Sequence, residues 1–569
     1  GAGGGAYYAA LESCTVVDNE AASGGGCSQG KAYSSIIYHN RAASGPEYDA
    51  TESWSCCTTP EEAWVTWVPV LEPPRLTGFR DPHLLPGSPC LNAGQSRPWH
   101  AGTEGLDMDR EARVAGASVD IGADERHETA LEGPLQIQVI ADHTTFGVSY
   151  APQFRAETEG KAGEMFWDFG DGQIAQNVNP VSHAFAACGV YQVVVTVTNA
   201  THSASATQTV EVVAGDSFVS LAGSHIPPFA SWADAATNIQ DAVDAAIYGG
   251  TIWLADGTYE QGGRPASGQT HPNRVCIEKP VTVRGANGPA VTVIRGAWHD
   301  PGVTPWGAGA VRGVFLGHAG ARLIGVTVAD AAAGAASADA SGGGVYCAAP
   351  GAGGSNCVVS GCGAYYDGGG VCGGLWQASV FTGNVADLNG GGAADAVLEA
   401  CTLTGNTAAS DGGGAEESVL SDCTVTGNEA QGSDGGGVYY CTATRCLILG
   451  NRAYDDGGGS SDGYLVNCLV AGNESGYGGG AAYGTLDVCT VVSNAASHYG
   501  GGVYDTDYVL NTVIWDNQAP SDPQWSYGYY ANCLTAPLPD GAYDGGGNLT
   551  GDPLFVNAAA GDYRLAAAS

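Results

Sequence analysis

The sequence predicts an all-β chain: a solenoid of stacked short-strand coils, wound as a parallel β-helix, with an immunoglobulin-like β-sandwich set into it. Three observations carry this. A triple glycine returns at Gly368, Gly390, Gly412, Gly435, Gly457, Gly478 and Gly500, and an asparagine returns in step at Asn384, Asn406, Asn428, Asn451, Asn473, Asn494 and Asn517. Both advance by 21 to 23 residues. Five residues ahead of the asparagine stands Cys401, Cys423, Cys446, Cys468 or Cys489. A period this short, kept by three residue types, marks a solenoid.

The repeat is built of strands because its segments alternate. Cys401-Thr402-Leu403-Thr404 and Cys423-Thr424-Val425-Thr426 set small or apolar side chains against threonine, the period of two that buries one face of a strand. Gly405-Asn406 and Gly412-Gly413-Gly414 supply corners, since glycine and asparagine accept left-handed backbone angles. No segment is long and apolar enough at helical spacing for paired-helix repeats. Coils stacked about 4.8 Å apart lay equivalent residues over one another, so an asparagine ladder, an inward cysteine ladder and a glycine ladder are expected. On these ladders the chain resembles the right-handed, pectate-lyase-like β-helix superfamily.

Residues 1–127 read as the C-terminal part of one such β-helix with its capping region. Gly3 to Gly5, Cys14, Asn19, Gly24 to Gly26 and Asn40 keep the ladder. Then come Asp81-Pro82, Gly87 to Gly94 and Asp120-Ile121-Gly122-Ala123-Asp124-Glu125, which resemble the C-terminal end of bacterial surface β-helix proteins and imply a cap over the last sheet edge. In residues 128–215, Trp167-Asp168-Phe169-Gly170-Asp171-Gly172, His183-Ala184-Phe185 and Gly189 to Asn199 resemble a PKD domain. The resemblance implies an immunoglobulin-like sandwich serving as spacer or interaction unit. Residues 216–569 read as a second β-helix. A capping helix over Ser231 to Ala246 comes first, with Ser231 as its cap and Ala236, Ile239, Ala242, Val243 and Ala246 on one face. This β-helix is expected to stop before its own cap is complete. Gly3 matches Gly478, Cys14 matches Cys489, Asn19 matches Asn494 and Leu76 matches Leu549, an offset of about 475. The chain is therefore expected to be a window onto a tandem array within a larger protein, or a protomer whose end coils abut those of its neighbours, and its opening at Gly1 is expected to mark processing or a segment of something longer.

Acidic residues outnumber Lys plus Arg by 59 to 20, for a net charge of −39, which repels nucleic acid and anionic membranes. No apolar run reaches the length of a membrane-spanning helix. Of 18 cysteines, the ladder members read as small buried fillers, while Cys56, Cys57, Cys347, Cys362, Cys372 and Cys441 stay open to disulfide pairing. No CxxC spacing suggests zinc. The acids ahead of the triple glycines, Asp367, Asp411, Asp434 and Asp456, would repel one another if stacked. Calcium is the cation that would suit them; the simpler reading is solvated turn formers. Arg284, Arg295 and Arg312 read as solvated strand ends rather than a clamp for an acidic sugar, and His318 as a turn residue. Tyrosines such as Tyr439, Tyr440, Tyr477, Tyr483, Tyr499 and Tyr504 either stack on sugars or a partner chain, or pack on their neighbours.

No Ser/His/Asp nucleophile motif, Walker loop or dinucleotide fingerprint is present. The expectation is a non-enzymatic structural protein of the bacterial cell exterior, repeated in tandem or associated end to end with copies of itself into a filament, tube or stalk, with no cofactor beyond the calcium just raised. A carbohydrate-binding adhesin is the alternative, and a polysaccharide lyase or hydrolase the third reading.

Overall fold

The computed structural model describes residues 3–45, 47–49, 52–59, 65–67, 70–95, 105–128, 131–148, 150–299, 307, 309–334, 340–539 and 543–566. Two compact units divide between Ala214 and Gly215.

In the second unit the alternation seen in the sequence becomes a four-strand coil. One coil runs through Val397–Glu399, Thr402–Thr404, Thr407–Ala408 and Ala415–Glu416. Each strand pairs in parallel with its equivalent one coil on, so Leu398 lies over Leu420, Leu403 over Val425, Ala408 over Ala430 and Ala415 over Val438. The inward columns are dry: Leu403, Val425, Ile448, Val470 and Val491 are fully buried. Each such side chain stabilises the stack by about 2 kcal/mol. The fold is a parallel β-helix.

The corners follow a five-residue rhythm. Gly390, Asp395, Ala400 and Gly405 all sit in the left-handed region, with φ of 62°, 52°, 51° and 62°, and the next coil repeats this at Gly412, Glu417, Asp422 and Gly427. In the last coil the second side takes six residues, from Asp505 to Asn511, but in the coils from Gly368 to Gly500 it is the fourth side alone that varies. It takes seven residues from Gly405 to Gly412, eight from Gly427 to Gly435 and six from Gly472 to Gly478, which accounts for the drift in the sequence period. The middle glycine of each triple is dictated by space: a Cβ on Gly413 would lie 2.4 Å from the carbonyl carbon of Glu429 in the next coil.

The capping helix is shorter than the sequence suggested, spanning Ile239–Ala245. Asn238, not Ser231, caps it, accepting the Asp241 amide at 3.0 Å. Ser231 closes a separate turn with Asp234, and Ala236 is held extended by backbone hydrogen bonds to Phe218 and Ser220. That tertiary pairing overrides helical propensity. Gln240 fixes the helix to the coil edge, accepting from the Cys276 amide at 2.8 Å and donating to its carbonyl at 3.1 Å.

The first unit begins with coils of the same kind, pairing Ala10–Glu12, Lys31–Tyr33 and Glu52–Trp54 in parallel. It continues through the capping region into two layers that are antiparallel except where Thr145–Gly147 pairs in parallel with Ser203–Val213. One holds Gln136–Ala141, Gln153–Glu159 and Val181–Ser182; the other holds Thr145–Gly147, Ser203–Val213, Gly189–Thr198, Glu164–Asp168 and Ile174–Gln176. Phe146, Phe154, Trp167, Phe169, Val193 and Val195 fill the space between them. Among the described residues no helix is long and apolar enough to cross a membrane.

Candidate functional site

The asparagines form one unbroken column. The Nδ2 of Asn406 donates to Oδ1 of Asn428 at 2.9 Å, Asn428 to Asn451 at 2.9 Å and Asn451 to Asn473 at 3.0 Å. Asn384 precedes them, and Asn494 and Asn517 continue the column. The same Oδ1 also accepts the backbone amide of the preceding asparagine, and the second Nδ2 hydrogen reaches a strand carbonyl, as Asn428 does to Leu403 at 3.1 Å. At the last asparagine the acceptor changes. Asn517 donates to Gln524 Oε1 at 3.0 Å, and in the first unit Asn40 donates to Glu47 Oε2 at 2.7 Å. Sequence reasoning missed both terminators, although each follows its asparagine by seven residues.

The cysteine column is buried and also hydrogen-bonded. Cys401 donates its amide to Cys423 Sγ at 3.4 Å, and its own thiol to the Glu399 carbonyl at 3.3 Å. Cys446, Cys468 and Cys489 repeat the pattern of thiol donation. Ser379 and Thr512 occupy the same column and accept through Oγ, so the position selects a small side chain that both donates and accepts. All 18 cysteines are free thiols. Burial pushes Cys357 up to about 11 and Cys441 up to about 12. In the native protein Cys188, the exposed one, is expected to react first with a thiol reagent, and the ladder only on unfolding. Cys423→Ser is expected to keep stability within about 1 kcal/mol, and Cys423→Ala to lose about 1–2 kcal/mol, in thermal melts.

The acid column is stacked but does not converge. Asp367 Oδ1 accepts the Asn389 amide, Asp411 Oδ1 the Asp434 amide at 2.9 Å and Asp434 Oδ1 the Asp456 amide at 3.0 Å. Carboxylate oxygens of Asp434, Asp455 and Asp456 come within 4.8 Å of one another, the one group on this column that could hold a cation among the described residues. Burial, then neighbouring carboxylates, pushes Asp456 up to about 6 and Glu416 up to about 8. Burial also raises Asp367 and Asp434. A raised carboxyl stabilises the fold while protonated, and that contribution is lost as pH rises through the folded-state value. The melting temperature of the solenoid is therefore expected to fall by a few degrees between pH 5 and 8, and less so in Glu416→Gln.

The arginines correct one expectation. Arg312 is fully buried, its guanidinium taken up by acceptors on the coils either side, Asn273 Oδ1 at 2.8 Å and the Gly342 carbonyl at 3.0 Å. Arg284 lies over the Trp253 ring, Arg295 pairs with Asp330 at 3.1 Å, and His318 accepts the Gly320 amide inside its turn. They form no cluster facing a ligand. A shallow depression of about 550 Å³ over Ile324, Gly354, Leu375 and Trp376 holds one guanidinium, Arg322, and one carboxylate, Glu399.

The sandwich motif makes a braced hairpin. Asp168 and Asp171 accept the amides of Gly170 and Gln173 at 2.9 and 3.0 Å, and Gly170 and Gly172 take φ of 77° and 91°. His183 Nε2 meets Asp171 Oδ2 at 2.8 Å, its ring stacked on Phe169 at 3.9 Å, while Trp167 Nε1 donates to the Val178 carbonyl at 2.9 Å. Residues 138–214 match the family model described as PKD domain. This segment is a PKD domain. Its signature aspartates brace the turn. Burial works against the Asp171 carboxylate, but the His183 imidazole and the Gln173 amide hold it below its ordinary value. Asp171→Asn is expected to cost about 1–2 kcal/mol at neutral pH, a difference that shrinks as pH falls through the depressed value, read by chemical denaturation.

The PKD domain is tied to the capping region by hydrogen bonds between residues far apart in the chain. Asn179 Nδ2 donates to the Leu76 carbonyl at 3.1 Å, Glu157 accepts the Phe79 amide at 2.8 Å, and Arg126 donates to the Gly163 carbonyl at 2.9 Å. Lys161 of the PKD domain pairs with Asp109 at 3.0 Å, and Asp109 also meets the buried His83 at 3.0 Å. Burial disfavours the His83 cation, but Asp124, Asp81 and Asp109 outweigh it and raise its pKa. His83, Asp109 and Asp124 are close enough to share a metal ion, but Lys161 already supplies positive charge there.

No curated protein matches the sequence. Among solved structures, the chain is similar to the A-module of the Azotobacter vinelandii mannuronan C-5 epimerase AlgE4, at 17% identity and TM-score 0.27, covering 50% of this chain and 90% of that one. It is similar to pectate lyase Pel9A at 14% and 0.28, covering 62% and 90%. It is also similar to the Yersinia enterocolitica family 28 exopolygalacturonase at 9% and 0.22, covering 72% and 100%. Nothing of their chemistry transfers at such identities.

Proposed function

We propose that the chain is a non-catalytic building segment of a cell-exterior protein, in which hydrogen-bond-locked solenoids alternate with PKD domains. The observation that carries this reading is the asparagine column: from Asn384 to Asn517 the buried asparagine side chains are engaged in holding coil to coil. The ladder thiols fit an oxidising exterior because they are buried from reagents. The acidic surface supports solubility at high copy density. End-to-end association of copies belongs to the same reading, since head-to-tail contacts propagate into fibres or rings. Electron microscopy of the purified chain tests it: rigid segments, alone or joined end to end, are expected. Release of unsaturated uronate from pectin or alginate would overturn it.

One observation favours a second reading. Glu416, raised to about 8 beside other carboxylates, has the protonation state of a general acid at neutral pH. A glycoside hydrolase would then release reducing ends from a neutral polysaccharide and lose that activity in Glu416→Gln. Against it, a solenoid stacks carboxylates wherever its repeat carries one.

A further inference from the structure

An aromatic strip continues the acid column. Asp456 is followed in register by Tyr477 and then Tyr499. Across the glycine corner, a second column passes from Tyr439 through Ser461 and Ala482 to Tyr504. The triple glycines put no side chain between these columns, and the Tyr483 hydroxyl reaches over the gap to Asp456 at 3.0 Å. The rings make a continuous surface. Tyr477 and Tyr499 lie 8° from parallel with centroids 6.1 Å apart, Tyr477 and Tyr504 are 5.1 Å apart, and Tyr504 leads to Tyr527 at 6.1 Å. Tyr499 and Tyr527 are 44% and 51% exposed, while Tyr477 and Tyr504 are half-buried between them.

Charge narrows the occupant. Residues 453–563 contain no lysine or arginine. The carboxylates beside the strip therefore have no basic partner within that stretch, and Asp456 Oδ1 is a buried oxygen left without a hydrogen-bond partner. A uronate polymer is repelled here, and so is the same face of a second copy. Flat tyrosine faces suit pyranose rings, and both rings and carboxylates attract ammonium groups. The coils repeat every 4.8 Å or so, close to the rise of one residue in an extended β-linked glycan, so successive coils meet successive sugars.

We propose that this strip binds a glycan bearing protonated amino groups, with Tyr477, Tyr499 and Tyr504 under sugar faces and Asp456 and Asp462 pairing with the ammonium groups. A basic peptide would satisfy the carboxylates but has no need of adjoining ring faces. The test is calorimetric titration of the full chain with a glucosamine oligosaccharide, its fully N-acetylated counterpart, oligogalacturonate and polylysine. The glucosamine oligomer is expected to bind at least tenfold more tightly than the acetylated one, with no binding of oligogalacturonate. Tyr499→Ala with Tyr504→Ala should weaken it at least tenfold at an unchanged melting temperature. Asp462→Asn, at the half-buried left-handed corner that follows Ser461, should weaken it several-fold and flatten its salt dependence. Absence of binding, oligogalacturonate bound as well as glucosamine, or polylysine bound equally with no effect of the tyrosine pair, would each overturn the proposal.

Discussion

Gly413→Ala, a single added methyl in the second solenoid, is expected to cost about 4 kcal/mol or more. The added Cβ would meet the Glu429 backbone of the next coil at 2.4 to 2.6 Å. Backbone cannot swing aside as a side chain can, so the coils must part and the parallel hydrogen bonds on either side lengthen. Gly427→Ala is the control. Gly427 takes φ of 63°, but nothing lies within 4 Å of its added Cβ. Its cost is the left-handed backbone alone, about 1 kcal/mol. Ser493 and Asp516 already occupy that column with φ of 55° and 54°, so the site tolerates a side chain. Thermal melts with limited proteolysis should separate the two variants; equal loss would refute the steric account.

Asn428→Ala is expected to cost about 4 kcal/mol, because the truncation orphans more than it removes. The backbone amide and Nδ2 of Asn406 both lose the Oδ1 they share, while the Leu403 carbonyl and Asn451 Oδ1 lose a donor. Those groups are buried where water cannot replace the partner. In a solenoid each coil touches chiefly its neighbours, so the damage should be local. Hydrogen exchange should quicken at Asn406 and Asn451 while the PKD amides stay unchanged. Uniform quickening along both units would show that the ladder is not a chain of nearest-neighbour links.

The sequence displayed the parts of the fold that repeat. Glycine and asparagine in step at 22 or so residues announced coils, and the alternation around Leu403 and Val425 announced strands, because both periods follow from backbone geometry. Two of the four corners per coil were hidden. They fall on residues such as Ala400, Glu417, Tyr440 and Val488, whose side chains disfavour φ near 50° and are held there by stacking on the coils either side. The helix start was misplaced because Ser231 serves a neighbouring turn. The burial of Arg312 was illegible for a similar reason: its acceptors, Asn273 and the Gly342 carbonyl, lie 30 or more residues away. The tyrosine strip was visible only as a list of residues, since nothing in a list says that Tyr477 inherits the column of Asp456.

From Gly368 to Gly500, the side of the coil that runs from the asparagine to the next glycine triple differs from the other three in having no fixed length. Extra sequence placed between Ala430 and Gly435 would leave the register of every buried column untouched, as the additional residue there already does relative to the coil before. A peptide tag or small folded module grafted at that edge should be displayed at intervals set by the coil rise, which makes this edge a natural scaffold for ordered arrays.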